Sequence, residues 1–327
     1  MTSPGIALFG TRFQSPVLLA AGTCGFGAEM VGVLDLEALG GFVTKSVTVE
    51  PRRGNPAPRV TEFGAGMVNS VGLANPGLDA VRREKIPWIR EHVRRARVFV
   101  SVAGHTPAEF ARLVEELDRE EGFLGFELNL SCPNDDRLGG RPFALDQGAL
   151  KDVVERCRRV TARPLLAKLA PNDPDLEGSV RVAELAGADA LTLVNTLPGL
   201  VLDPWGGSPR LGAGAGGVSG PALRAAGVRA VAVARGVTGL PLLGVGGIGR
   251  VEDALQYLHA GASLVQVGTA TFADPRAAER VARDLARLAA RGQLPAPSTR
   301  GRSGPVPSPG RTASRGVDAP EEVPWPR

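Results

Sequence analysis

The chain has 327 residues, 22% charged and 43% hydrophobic, with a formal net charge of +4; this is ordinary globular composition and enough length for one α/β barrel of about 250 residues. The basic excess is scattered and aromatics make up 5%, with Tyr257 the sole tyrosine, which argues against nucleic-acid binding. No apolar run reaches the roughly 18 residues a membrane span needs, and Cys24, Cys132 and Cys157 are too few and too scattered for a disulfide framework or a C-x-x-C metal knuckle.

Along the chain, short apolar runs alternate with longer amphipathic stretches. Strands are expected at 17–20, 42–47, 98–102, 125–131, 164–169, 189–194, 241–245 and 264–267. Helices are expected at 29–38, 78–95, 107–120, 148–160, 175–187, 219–236, 251–260 and 274–290. Runs such as PLLAKL (164–169) lack polar alternation, as parallel strands buried on both faces do. Thr106 before Pro107 and Asp274 before Pro275 are plausible helix starts. No G-x-G-x-x-G follows the first strand, and polar and glycine residues gather at the C-terminal ends of many strands. The pattern therefore predicts a closed (β/α)8 TIM barrel rather than a doubly wound sheet. Residues 1–294 form the expected barrel domain. Two of its loops are long, 48–77 after strand 2 and 195–218 after strand 6, as lids and binding segments are. Residues 295–327, rich in Pro, Gly, Ser and Arg, carry too little apolar surface to offset the entropy of ordering and are expected to be disordered.

The densest chemistry lies in ELNLSCPN (127–134) at the end of strand 4. A lone cysteine is usually a small core residue, but Pro133 ends the strand beside Cys132, and Asn129, Ser131 and Asn134 surround it. Paired amides suit a planar amide-bearing ligand, and a thiol can act as base or nucleophile near neutral pH. Lys45 and Lys168 sit inside apolar strands, where a lysine is costly unless it snorkels to water or meets an anion; a Schiff-base lysine is the competing chemistry. GMVNSVGLANPG (66–77) and VNTLPG (194–199) set Asn69, Ser70, Asn75, Asn195 and Thr196 among turn residues, so each also reads as a plain turn. GAGAGGVSG (212–220), GVGGIG (244–249) and GTATF (268–272) are weak signals singly. Together, at the loops where this fold holds phosphate, they favour a phosphorylated ligand. His92, His105 and His259 have no second ligand at metal spacing, so no metal is expected; Cys24 and Cys157 read as packing residues.

Taken together the motifs resemble class 1 dihydroorotate dehydrogenase, the flavin enzyme of pyrimidine biosynthesis, over residues 5–290. The resemblance rests on AAGTCGFG (20–27), TKSVT (44–48), GNPAPRV (54–60), NSVGLANPG (69–77), NLSCPN (129–134), AKLAPN (167–172), NTLPGLVLD (195–203), GGVSGPA (216–222), GVGGI (244–248) and GTATF (268–272). It implies FMN as cofactor and Cys132 as the base. It places Lys45, Asn69, Ser70, Val71, Gly72, Leu73, Asn129, Asn195 and Thr196 at the substrate. Lys45, Ser46, Asn129, Lys168, Val194, Gly220, Gly246, Gly247, Gly268 and Thr269 fall to the flavin. NTLPGLVLD and GGVSG resemble the NAD-linked subtype. In that subtype a homodimer of catalytic chains sits in a heterotetramer whose partner subunit carries FAD and a 2Fe-2S cluster. Two positions depart from the family: Ser101 where an Asn is common, and Ala21 where a Ser is common.

The rival readings are the fumarate-using enzyme or a related dihydropyrimidine dehydrogenase, a flavin-free Schiff-base lyase, and a barrel kept only for binding. The odd cysteine count without a secretory start sets the expected location in the cytoplasm. A chain ending near residue 293 is expected to fold, bind FMN and turn over normally. Melting temperature and activity of the truncated protein check this, and a large drop in either would show that the tail docks.

Overall fold

A computed structural model of the protein describes residues 5–131 and 142–295. Cys132, Pro133, Asn134 and the tail from 296 onward lie outside the described residues, and so do the expectations attached to them.

In chain order the strands are β1 (Ile6–Leu8), β2 (Thr11–Phe13), β3 (Val17–Leu19), β4 (Gly41–Val43), β5 (Val60–Phe63), β6 (Gly66–Asn69) and β7 (Arg97–Val102). They continue with β8 (Gly125–Asn129), β9 (Leu165–Lys168), β10 (Ala190–Leu193), β11 (Leu197–Gly199), β12 (Gly216–Ser219), β13 (Leu242–Val245) and β14 (Leu264–Val267). Eight of them close a parallel barrel in the order β3-β4-β7-β8-β9-β10-β13-β14. These are the eight apolar runs expected from the sequence, and the fold is the (β/α)8 barrel.

Strand pleating sorts each run into two sets. Residues such as Val17, Leu19, Phe42, Val98, Val100, Phe126 and Val265 join the core under the helices. Their neighbours Leu18, Val43, Phe99, Leu166, Ala190, Leu243 and Leu264 fill the barrel interior, where Phe13 joins them and Ile6, Leu8 and Phe9 of the β1–β2 hairpin pack against them. One end of the interior is thus plugged with side chains, as barrels of this size require.

The helices follow the expected 3.6-residue period. Pro107–Asp118 buries Phe110, Leu113, Val114 and Leu117, and its Thr106 cap accepts from the Glu109 N–H. Asp146 and Asp175 cap Gln147–Val160 and Leu176–Leu185 in the same way.

Three expectations need correction. No α-helix covers 29–38; two 3-10 turns, Ala28–Met30 and Leu36–Ala38, stand there instead. Gly32 adopts φ +76° between them, and Asp35 accepts from the Glu37 N–H to start a new turn, so the apolar spacing never lies on one helix. The helix expected from 219 begins later, because Gly216–Ser219 is a strand and Arg224–Val237 the helix. The last helix runs Ala277–Ala290, with Asp274 ending the preceding turn Ala270–Ala273.

The two long loops are not irregular. They form an antiparallel sheet of order β11-β12-β6-β5, in which Asn69 pairs with Gly217 across β6–β12. Among the described residues no helix is long and apolar enough to cross a membrane.

Candidate active site

On five of the barrel strands, moving two residues along, one full pleat toward the C-terminal end, changes the interior from apolar to polar. Val43 gives way to Lys45, Phe99 to Ser101, Leu166 to Lys168, Ala190 to Thr192 and Leu264 to Gln266; on β8 the inward residues are Glu127 and then Asn129. A cavity opens above this layer, and its lining includes Lys45, Ser46, Asn69, Val71, Gly72, Leu73, Asn129, Lys168, Val194, Asn195, Thr196, Gly220, Gly246, Gly247, Gly268 and Thr269. The structure therefore gathers nearly all the residues singled out in the sequence around one space.

Ser70 is placed differently. It is buried, its hydroxyl accepts from Asn55 Nδ2 at 2.8 Å, and it is not among the lining residues. Pleating explains this, since Asn69 and Met67 face the cavity from β6 and their sequence neighbours point away. Cys132 falls outside the described residues, three positions beyond Asn129.

Two of the amide groups, Asn195 and Asn129, form one chain with Ser46 and Ser101. Asn195 Nδ2 donates to Asn129 Oδ1 at 3.0 Å, and Asn129 Nδ2 donates to Ser46 Oγ at 3.1 Å. Ser46 and Ser101 share a hydrogen bond of 2.8 Å. At the other end the Thr196 N–H donates to Asn195 Oδ1 at 2.8 Å; separately, Asn69 Nδ2 donates to the Gly217 carbonyl at 3.2 Å. Each primary amide has two donor hydrogens and two acceptor lone pairs, so these contacts orient the groups while leaving capacity for a ligand. Ser101 serves this chain by supporting Ser46, one step from the cavity.

Opposite the amides lies the glycine cradle. Gly246 (φ +128°) and Gly247 (φ +69°) hold backbone that side chains rarely adopt, and a Cβ on Gly247 would stand 2.8 Å from the Gly220 carbonyl oxygen. The loop after β13 thus lies directly against the Gly220 turn that opens the preceding helix, Arg224–Val237. Tyr257 Oη donates to the Gly246 carbonyl at 2.7 Å, and Asp253 accepts from the Gly249 and Arg250 N–H groups at 3.0 and 3.1 Å. Asp253 is also ion-paired with Arg224. Burial pushes the Tyr257 phenol well above its ordinary range, so it stays a neutral hydrogen-bond donor. Close-packed glycine backbone on one side and a buried lysine on the other fit a phosphorylated planar group such as FMN.

Lys168 is buried and its ammonium lies 3.3 Å from Glu127 Oε1, itself fully buried. Glu127 Oε2 accepts from Thr192 Oγ1 at 2.9 Å and Gln266 Nε2 at 3.1 Å. Glu127, Thr192 and Gln266 did not stand out in the sequence, although a polar residue at the inward parity of an otherwise apolar strand is a readable signal. Cys24 and Cys157 are buried as expected; burial raises both thiols, Cys157 to about 12, which suits packing rather than nucleophilic chemistry.

Known proteins resemble this chain over nearly the whole barrel. The dihydroorotate dehydrogenase family model matches residues 5–288. A Solibacter usitatus protein named "Putative dihydroorotate dehydrogenase A (fumarate)" is 47% identical over 279 residues, 85% of this chain and 91% of that one. The dihydroorotate dehydrogenase B (NAD(+)) catalytic subunit of Desulforudis audaxviator is 46% identical over 280 residues, 86% and 90% of the two chains. The crystal structure of DHODH in complex with ferulenol from Eimeria tenella superposes with a TM-score of 0.73 over 88% of this chain and 85% of that one, at 22% identity, and shares the fold. With a family model spanning nearly the whole barrel and relatives above 45% identity, this chain belongs to the dihydroorotate dehydrogenase family.

Proposed function

We propose that the chain oxidises (S)-dihydroorotate to orotate on bound FMN, a step of pyrimidine (UMP) biosynthesis. The observation that carries this reading is the convergence of Lys45, Asn69, Asn129, Asn195 and Thr196 on the cavity that also contains Lys168 and the glycine cradle. The pyrimidine ring offers alternating carbonyl and N–H groups, which the Asn chain can match with paired donors and acceptors. Gly220, Gly246, Gly247, Gly268 and Thr269 would hold the FMN phosphate end, with Ser46, Val194 and Lys168 at the ring. Bound FMN supplies the acceptor for hydride from substrate C6. Cys132 would take the C5 proton and C6 would lose a hydride, leaving a ring double bond. Lys45 would serve both substrate and flavin from the cavity wall. Lys168 would offer a positive charge to the bound flavin ring.

At Lys168 the Schiff-base alternative fits less well. That chemistry needs a neutral amine, whereas the Lys168 ammonium is held against buried Glu127. Anaerobic mixing with dihydroorotate tests the proposal: the flavin absorbance near about 450 nm should bleach. A colourless protein, or no bleaching, would remove it.

The relatives divide over the acceptor, one being named for fumarate and another for NAD(+). NTLPGLVLD and GGVSG favour the NAD-linked form. The sequence has three cysteines, too few for a four-Cys iron–sulfur site, and no nucleotide fingerprint beyond the loops assigned to FMN. We therefore expect the chain alone to reduce its FMN with dihydroorotate yet fail to reduce NAD⁺ at a useful rate. Addition of an FAD and 2Fe-2S subunit should restore NAD⁺ reduction. Leu200, Leu202 and Trp205, the last 94% exposed, offer an apolar surface on the loop beyond β11 for such a partner. Efficient NAD⁺ reduction by the single chain would refute the partner requirement, and efficient turnover with fumarate would move the chain to the other subtype.

A further inference from the structure

We propose that Glu127 is a positioning residue that fixes the Lys168 ammonium beneath the flavin site and offsets part of its charge, so that bound FMN does not hold electrons too tightly. The inference rests on the FMN reading above and goes beyond it by assigning a role to a buried carboxylate that touches neither substrate nor cofactor.

Four strands converge on this group. Glu127 stands on β8 and Lys168 on the adjacent β9; Thr192 on β10 is in register with Lys168. Gln266 comes from β14, across the barrel interior. The three contacts to Glu127 are all donors: Lys168 Nζ at 3.3 Å, Thr192 Oγ1 at 2.9 Å and Gln266 Nε2 at 3.1 Å. Both carboxylate oxygens are used, which is the arrangement an ionised carboxylate requires. Gln266 spends its amide hydrogen on Glu127, and among the described residues its buried Oε1 has no hydrogen-bond partner. Leaving a buried acceptor unsatisfied is costly, so the orientation of Gln266 is set by the carboxylate.

Below the pair lies the apolar plug of Phe99, Leu166, Leu243 and Leu264; above it Lys168 reaches the cavity lining. In such surroundings a charge acts over several ångströms with little screening. Stability alone does not account for the pair, because apolar residues of similar volume often replace a buried ion pair without loss. An apolar pair would not present an ammonium to the flavin. A lysine with no counter-charge would stabilise the anionic reduced flavin more strongly and make electron release harder. Glu127 supplies the opposing charge on the neighbouring strand.

The test uses the full chain with FMN. Wild type and Glu127→Gln are titrated reductively against a reference dye, with FMN content and the melting temperature of the apoprotein measured alongside. We expect Glu127→Gln to retain FMN and to raise its preference for the reduced over the oxidised form at least tenfold, about 30 mV upward for a two-electron couple. A purely structural pair would lower the apoprotein melting temperature and leave the potential in place, which would overturn the proposal; so would a fall in potential. If Glu127→Gln does not fold, Glu127→Asp keeps the charge but retracts it by one methylene, and the same sign with a smaller shift is expected. A wild-type chain that takes up no FMN removes both this inference and the reading beneath it. FMN in the wild type with an unmoved potential in the variant removes this inference alone.

Discussion

Cys132→Ala is expected to keep FMN bound and to lose turnover by a factor of about 10²–10⁴, the usual contribution of a positioned base. The reason for the split is geometric. The amide chain through Asn195, Asn129, Ser46 and Ser101 is closed by its own hydrogen bonds, and the glycine cradle is braced by Tyr257 and Asp253. These hydrogen bonds are all made among the described residues without the thiol, so binding should survive while proton removal fails. Cys132→Ser should recover little activity near neutral pH and more under alkaline conditions, because a hydroxyl is a poorer base than a thiol. Stopped-flow reduction of the flavin by dihydroorotate gives the answer, and a wild-type rate in the alanine variant would exclude Cys132 as the base.

Lys168→Ala is expected to do two kinds of damage. It removes the positive charge facing the flavin, so FMN should bind more weakly and be reduced more slowly. It also strands the fully buried Glu127 without its cation, and breaking a buried pair by removing one partner costs about 3–5 kcal/mol. Denaturant unfolding of the apoprotein reads the second effect independently of the first. Adding Glu127→Gln to Lys168→Ala should recover much of the lost stability but none of the flavin chemistry. Undiminished stability in the single variant would contradict the burial argument. Borohydride trapping of a carbonyl substrate on wild-type Lys168 would instead revive the lyase chemistry.

The barrel was legible because a parallel strand buried on both faces leaves an uninterrupted apolar run, and eight such runs stand in order. The cavity was legible because its lining residues sit where those runs end. What escaped lay either in very short elements or in pairings distant along the chain. The β1–β2 hairpin consists of two three-residue strands, below the length at which alternation can be read. The stretch 29–38 has helical spacing, but Val31 is 67% exposed, since Gly32 turns the chain before a second helical turn can form. β6 and β12 read as loops because the residues that complete them are far apart, Asn69 facing Gly217. Glu127 and Gln266 were hidden inside apolar runs, where their inward direction depends on the pleat and their partners on barrel closure.

The β11-β12-β6-β5 sheet ties the loop after the second barrel strand to the loop after the sixth. These two stretches are consequently coupled through one backbone ladder. Grafting residues 48–77 from a relative without residues 195–218 would mismatch the backbone ladder between β6 and β12. A single-residue insertion within β6 would slip that ladder and turn Asn69 from the cavity to the opposite face. Any exchange of substrate preference between relatives must therefore move both segments together, although more than a hundred residues of barrel separate them in the chain.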